Sequence, residues 1–152
     1  ITLAKGLGGG VPIGAFLAKD KFCLLAPGDH GSTYGGNALT CAAAFATVGY
    51  VVQNDIPAHV NIVGQRLRDG LSAIESRHEF ITQVRGMGLL LAIQFNSDVS
   101  AQIVSLCNQE GLLLNPLRPN ALRLMPPLTV TPEEVNMALE RLEKALSKVT
   151  FN

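Results

Sequence analysis

The sequence predicts a chain that begins as α/β structure and continues as α+β structure. Short apolar runs at 1–4 and 13–18 precede one long alanine-rich segment, as buried strands precede a packed helix. Apolar residues then recur at steps of three and four from Val60 to Ile74, which is typical of one face of an amphipathic helix. The remainder alternates short strand-like runs with two helical segments, and this order favours a small α+β domain.

The composition indicates a folded chain with a small-molecule partner. Hydrophobic residues make up 47% of the 152 residues and charged residues only 16%, which excludes a disordered chain. Twelve basic residues balance twelve acidic ones without a run of like charge. The surface therefore offers no electrostatic footprint for nucleic acid or an anionic membrane. No apolar stretch is long enough for a membrane helix, and no signal peptide opens the chain.

Two further features are the cysteines and the first residue of the sequence. Cys23, Cys41 and Cys107 are odd in number, widely spaced and flanked by apolar or small residues. We interpret them as buried thiols in a reducing cytoplasm, not as disulfides or zinc ligands. The chain opens on Ile1, without a methionine, and reads as part of a larger protein.

The first part of the chain is predicted to contain two strands and one helix. A strand at 1–4 is followed by another at 13–18, and the apolar pattern resumes at 22–25. A long loop rich in turn residues covers 26–36, a length that is often functional. Asn37 is a suitable N-cap for a helix to about residue 53, whose small side chains predict close packing on its neighbours.

The centre of the chain is predicted to connect two domains. Ile56 and Pro57 interrupt the helical pattern, and an amphipathic helix is expected from 58 to about 76. We predict a large-domain segment at 1–57, a connecting helix at 58–78 and a small domain at 79–152.

Strands and helices alternate in the predicted small domain. The expected strands are 81–84, 89–95, 112–115 and 121–125, with a helix at 99–109 that ends at Gly111. The run Arg85–Gly88 separates two strands and is predicted to be a bulge or bend without a catalytic role. Thr131, Pro132 and Glu134 form a helix-start signal with a capping box for a final helix.

Lys5 is the strongest candidate for chemistry. It stands directly before the glycine-rich run Gly6–Gly10. A lysine amine that is held in place and can lose its proton bonds covalently to an aldehyde, such as that of pyridoxal phosphate. Neighbouring glycines leave room for a flat cofactor. Taken alone, however, most lysines are ordinary solvated side chains.

Three other residues are candidates for anion binding. Thr33, and more weakly Ser32, lie in a loop that leads to a helix start, where hydroxyl and N–H groups suit a phosphate; both could also simply shape a turn. Arg123 lies between two leucines in a strand-like run, so it needs an anionic partner, either a ligand or a structural salt bridge. The three histidines show no metal-ligand spacing, and we expect no metal.

Four segments together resemble the class III pyridoxal-phosphate aminotransferases, and most closely their acetylornithine aminotransferase branch. They are TLAKGLGGGVPIGA, HGSTYGGNALTCAAA, VRGMGLLLAI and LRLMPPLTVTPEEV, in that order. The resemblance implies the C-terminal part of a fold-type I transferase: the end of the large cofactor domain, a connecting helix, and a small α+β domain with antiparallel strands. It implies that Lys5 is the Schiff-base lysine, that Thr33 binds the cofactor phosphate across a homodimer, and that Arg123 grips the substrate α-carboxylate.

The implied reaction is ping-pong transfer of an amino group between N-acetylornithine and 2-oxoglutarate, with glutamate as product, in cytoplasmic arginine biosynthesis. Relatives that act on ornithine, succinylornithine or 4-aminobutyrate are alternatives, and so is a non-catalytic dimerisation or binding module. Because family parts upstream of Lys5 are absent from this sequence, we expect the isolated chain to bind the cofactor weakly and to be inactive.

Overall fold

The computed structural model describes residues 1–151 and divides the chain into two compact units. The first unit is Ile1–Ile56 and the second begins at Pro57. The predicted three-part division stays a prediction, and Asn152, at the end of the predicted small domain, lies outside the described residues. No helix among residues 1–151 combines the length and the apolar character that crossing a membrane requires.

The first unit contains a small antiparallel ribbon. Strand β1 (Thr2–Leu3) pairs with β2 (Ala15–Phe16), with Leu3 opposite Ala15. A 3-10 turn at Lys5–Gly8 lies between the two strands, and a second one covers Asp20–Phe22. The strands are thus shorter than predicted, because each pairs with only one short neighbour. The apolar run at 22–25 does not form a strand.

Helix α1 (Ala38–Gln53) begins as predicted, with the Asn37 side chain accepting a hydrogen bond from the Thr40 N–H at 3.1 Å. The expected close packing is limited in the described chain: Gly9 rests against Thr47 of α1, but no residue of α1 is buried. Small side chains permit close approach only where a neighbouring segment is present. Cys23 and Cys41 are likewise exposed, so the prediction of buried thiols is correct only for Cys107.

Helix α2 (Ile56–Glu75) belongs to the second unit from Pro57 onward. Ile56 and Pro57 were predicted to break the helical pattern, but they open the helix instead. Proline is tolerated in a first turn because an N–H at that position has no partner within the helix. The apolar stripe of α2 packs in the core of the second unit through Val63, Leu67 and Leu71.

A four-stranded antiparallel sheet in the order β3–β4–β6–β5 forms the centre of this unit. Its strands are β3 (Ile81–Met87), β4 (Leu90–Phe95), β5 (Asn115–Arg118) and β6 (Ala121–Leu124). Helix α3 (Ser100–Gln109) joins β4 to β5, and α4 (Pro132–Leu146) follows β6. The strand predicted at 112–115 is displaced, because pairing with β6 starts only where Asn115 lies opposite Arg123.

The β3–β4 hairpin corrects the prediction of a bulge or bend at Arg85–Gly88, of which only Gly88 lies in a turn. The first three of these residues continue β3, and Met87 pairs with Leu90 across a two-residue turn. The irregularity lies instead between Ile81 and Gln83. Gly86 has φ 128°, and an added Cβ there would lie 2.1 Å from the Leu90 carbonyl oxygen, so only glycine fits.

The core of the second unit lies between the sheet and the helices. Its fully buried side chains come from three helices and two strands, including Leu71, Ile74, Leu91, Ile93, Phe95, Ile103, Cys107, Leu122, Val135, Leu142 and Leu146. The predicted capping box of α4 is confirmed: Glu134 N–H donates to Thr131 Oγ1 at 3.2 Å, and Thr131 N–H donates to Glu134 Oε2 at 2.8 Å.

Candidate functional site

The backbone at Lys5 is unusual. Its φ is 54°, in the left-handed region that non-glycine residues rarely adopt at a cost of roughly 1–2 kcal/mol. The turn that holds it is closed by Leu7 N–H donating to Ala4 O and by Gly9 N–H donating to Gly6 O, both at 3.1 Å. Residues in such conformations cluster at functional sites. One other described non-glycine residue, Asp55, also has a positive φ, of 44°, so the backbone strain agrees with the choice of Lys5 made from the sequence but is not unique to it.

The surroundings of Lys5 leave room for a bulky group. The Lys5 side chain is exposed and makes no hydrogen bond or salt bridge within residues 1–151. Added Cβ atoms at Gly6 and Gly10 would meet no atom within 4 Å, and Gly10 has φ 128°. Gly9, by contrast, rests against Thr47 of α1, whose Oγ1 would lie 2.9 Å from an added Cβ. One side of the turn is thus packed and the other is open.

A groove of about 530 Å³ in the first unit lies between the segment after the lysine turn and the loop before α1. Its lining residues are Pro12, Ile13, Gly14, Ser32, Tyr34, Gly35, Gly36, Asn37 and Thr40. Ser32 is among them, whereas Thr33 is not. Thr33 is exposed at the start of a turn that the Gly35 N–H closes by donating to Ser32 O at 3.3 Å. The alternative that Ser32 and Thr33 shape a turn is thus correct in part, because this segment does form a turn.

Asn37 organises this loop in a way that the sequence reasoning did not foresee. Its Nδ2 donates to Tyr34 O at 2.9 Å, while its Oδ1 accepts from the Thr40 N–H. One amide side chain therefore joins the loop to the first turn of α1. The asparagine at the helix start was the available signal, but only the helix cap, not the bond to Tyr34, could be predicted from it.

Arg123 lies in the second unit, on β6, where it is opposite Ala92 of β4 and Asn115 of β5. Its neighbours Leu122 and Leu124 are buried, whereas Arg123 is partly exposed. Within residues 1–151 it forms neither a salt bridge nor a side-chain hydrogen bond. No described acidic residue therefore supports the alternative of a structural salt bridge.

A cavity of about 270 Å³ adjoins Arg123. Most of its wall is apolar, from helices α2 and α4 and from the segments before β5 and after β6. The apolar lining residues include Leu67, Leu112, Leu113, Leu114, Leu124, Met125, Pro126, Pro127, Val130, Val135, Leu139 and Leu142. Asn115 and Glu134 also line the cavity, and the Glu134 carboxylate accepts the hydrogen bond from the Thr131 N–H. The apolar part of the wall would shield from water an anion that bound Arg123, which strengthens a charged hydrogen bond.

The ion pairs of the described residues involve neither Lys5 nor Arg123. Glu143 of α4 accepts hydrogen bonds from Arg77 Nη2 at 2.9 Å and pairs with His78 Nε2 at 3.1 Å. The hydrogen bond from Arg77 is the main reason that the pKa of Glu143 is lowered. Burial raises the pKa of the Cys107 thiol to about 11. We interpret these groups as structural.

The family model for class III aminotransferases matches residues 1–146. The chain belongs to this family. Enzymes of the family depend on pyridoxal 5'-phosphate, and the exposed amine of Lys5 beside open space fits that aldehyde. The predicted family and the fold class, the C-terminal part of a fold-type I transferase, are confirmed.

Three known proteins illustrate the similarity. The acetylornithine aminotransferase of Caldanaerobacter subterraneus subsp. tengcongensis is 41% identical over 99% of the chain and 38% of its own length. The structure of acetylornithine aminotransferase from Elizabethkingia anophelis matches with a TM-score of 0.92 and 34% identity, over 97% of the chain and 38% of its own. The structure of Plasmodium falciparum ornithine delta-aminotransferase matches with a TM-score of 0.88 and 33% identity, over 96% of the chain and 39% of its own. The chain thus spans under two fifths of the length of these proteins.

Proposed function

We propose that the chain is the C-terminal part of a cytoplasmic, homodimeric N-acetylornithine:2-oxoglutarate aminotransferase of arginine biosynthesis. The observation that carries this proposal is the left-handed, exposed Lys5 on a glycine-rich turn, in a chain of the class III family. The 41% identity to an acetylornithine aminotransferase supports this substrate over ornithine. The structural likeness to an ornithine aminotransferase keeps ornithine as the second candidate.

Lys5 would have two tasks at its Nζ atom. As an unprotonated amine it would hold the cofactor covalently through the aldehyde, and it would be released when the substrate amine takes its place. Free again, Nζ would take the proton from the substrate α-carbon and return it during the second half of the reaction. Bound pyridoxal phosphate would supply the electron-withdrawing ring that makes this α-carbon acidic.

Thr33, with Ser32 as the weaker candidate, would bind the cofactor phosphate. Thr33 is exposed and free of side-chain hydrogen bonds within residues 1–151, so its hydroxyl can point to a group outside this chain. Its place before the start of α1 suits an anion, because helix N-termini carry partial positive charge. In the proposed homodimer that phosphate would belong to the cofactor of the other subunit.

Arg123 would bind the substrate α-carboxylate. A guanidinium forms two parallel hydrogen bonds with a carboxylate, and each charged hydrogen bond contributes about 1.5–3 kcal/mol. The absence of a described acidic partner leaves these donors available, and the apolar cavity beside them limits competition from water. Binding the carboxylate would orient the substrate amino group.

The decisive experiment maps the cofactor on the intact parent protein. After saturation with pyridoxal phosphate and borohydride reduction, peptide mass mapping should find the label on Lys5. Lys5→Ala and Lys5→Arg should abolish labelling and turnover, because neither side chain can form the covalent bond. Lys19→Ala, which removes an exposed lysine of the same unit, is the matched control and should retain both. A colourless parent would instead support the non-catalytic module, and a label on another lysine would refute the role of Lys5.

Kinetics on the same parent test the other two roles. Arg123→Lys should raise the KM for glutamate by about tenfold or more, since the two-pronged contact is lost. Arg118→Lys, on the neighbouring strand β5, serves as the control. Thr33→Ala should weaken cofactor binding more than Ser32→Ala.

Comparison of N-acetylornithine with ornithine as amino donor decides between the two substrates. The isolated 152-residue chain should show no transamination.

A further inference from the structure

The start of α2 is joined to the segment before α4 by one hydrogen bond between residues far apart in sequence. His59 Nε2 lies 2.9 Å from the Val130 carbonyl oxygen, at a partly buried position. A carbonyl oxygen can only accept, so the imidazole must carry a proton on Nε2. Both the neutral Nε2–H tautomer and the imidazolium meet this requirement. Sequence reasoning assigned His59 no role beyond excluding it as a metal ligand.

Val130 ends a loop that begins just after Arg123. The loop Met125–Val130 follows Leu124, the last residue of β6. Met125, Pro126, Pro127 and Val130 line the same cavity as Arg123. Movement of this loop would therefore change the wall against which a ligand of Arg123 rests.

The loop has few backbone donors of its own. Pro126 and Pro127 lack an N–H group, and the one internal backbone hydrogen bond of the loop runs from Val130 N–H to Pro127 O at 3.0 Å. One end is held by β6 and the other by the capping box at Thr131. The bond from His59 adds a third attachment at the Val130 backbone, while the Val130 side chain, at a residue 8% exposed, packs in the core.

We propose that His59 is a positioning residue for substrate binding. By holding Val130, it fixes the cavity wall next to Arg123 and thereby the pose in which a carboxylate substrate meets the guanidinium. This inference rests on the proposed role of Arg123. It concerns binding rather than chemistry, because His59 itself does not line the cavity.

Kinetics of the intact parent test the inference. His59→Leu removes the donor and leaves a shorter, apolar side chain in its place. It should raise the KM for glutamate about fivefold, the effect of losing one hydrogen bond, with kcat changed less than about twofold. His59→Gln, which again places an N–H near Val130, should return KM to within about twofold of the parent value.

A matched control separates positioning from general stability. Ser100 is 2% exposed, and its Oγ donates to the Arg118 carbonyl at 2.8 Å, but neither residue lines the Arg123 cavity. Ser100→Ala should lower the melting temperature and leave KM unchanged. A parent-like KM in a folded His59→Leu variant overturns the inference, as does an equal rise in KM in both variants.

Two readouts keep the inference distinct from the function on which it rests. If Arg123→Lys raises KM and His59→Leu does not, only the role of His59 fails; if Arg123→Lys has no effect, both fail. Should His59→Leu not fold, nuclear magnetic resonance of the unmutated parent replaces it. Glutarate, a dicarboxylate without an amine, should shift the His59 ring and Val130 amide signals, and unchanged signals would refute the inference.

Discussion

The two units of this chain hold their candidate functional residues in different ways. Every buried hydrophobic side chain of the described residues except Ile56 lies in the second unit, where Arg123 stands on a sheet over a continuous core. In the first unit Lys5 is placed by a strained turn and glycines, while side chains such as Phe45 remain 83% exposed. Exposed apolar surfaces of this kind typically bind another protein segment. The residue that we propose for covalent chemistry therefore lies where the described chain supplies the least packing.

The largest expected effect comes from separating the units. Residues 57–152 alone should retain a cooperative thermal transition, because their core contains the buried hydrophobic residues. Residues 1–56 alone should show none, because they lack a buried apolar cluster. Circular dichroism melting curves of both pieces measure this difference. Cooperative melting of the 1–56 piece would contradict the comparison.

A matched pair of phenylalanines sharpens the contrast. Phe95→Ala, at a site that is 1% exposed, should lower the free energy of unfolding by about 3–5 kcal/mol, because it opens a cavity in the core. Phe45→Ala in α1 should change it by less than about 0.5 kcal/mol. Urea denaturation of the 152-residue chain supplies both values. Equal losses would mean that Phe45 is packed in solution.

The three cysteines report the same contrast by their reactivity. A thiol reagent at neutral pH should modify Cys23 and Cys41 in the folded chain, since both are exposed. Cys107 should react at least about a hundredfold more slowly, because it is buried and its pKa of about 11 keeps the thiol protonated. Mass spectrometry of quenched samples gives the three rates. Denaturant should make them similar.

The smallest expected effect is on the pH dependence of stability. It concerns the second unit, in which all salt bridges within residues 1–151 lie. The folded-state pKa of Glu143 is lowered, chiefly by the hydrogen bond from Arg77. This pair therefore stabilises the fold above the usual carboxyl pKa of 4.5, and the contribution disappears as the pH falls through the lower folded value. The loss should be small, since both side chains are partly exposed and solvent screens their interaction.

Melting temperatures between neutral pH and acid test this for Glu143→Gln. The variant should show a flatter pH dependence than the unmutated chain. Glu140→Gln, on the same helix and without a described salt bridge, should leave the dependence unchanged. An identical pH profile in all three proteins would show that the pair contributes nothing measurable.

The sequence predicted those features of the structure that depend on residues close together in the chain. The caps of α1 and α4 were predicted because Asn37 and Thr131 bond to groups three residues away. The start of α2 was misplaced because a proline both breaks a helix and opens one. The strand expected at 112–115 was displaced because its position depends on pairing with β6, which local pattern does not contain.

For the candidate site, Lys5, Ser32, Thr33 and Arg123 were all chosen from the sequence, and their roles remain proposals. The structure added the left-handed backbone of Lys5, the cavity beside Arg123 and the bond from His59 to Val130. None of these can be read from neighbouring residues, since His59 and Val130 are 71 positions apart.

By itself, the sequence determined the family, the helix caps and the residue types available for chemistry, because these depend on side-chain identity and short spacing. Only the tertiary structure decided which cysteines are buried, where the strands pair and which loop lies beside Arg123. Burial and strand register arise when distant segments meet, and the free energy of those contacts is absent from any local stretch of the chain.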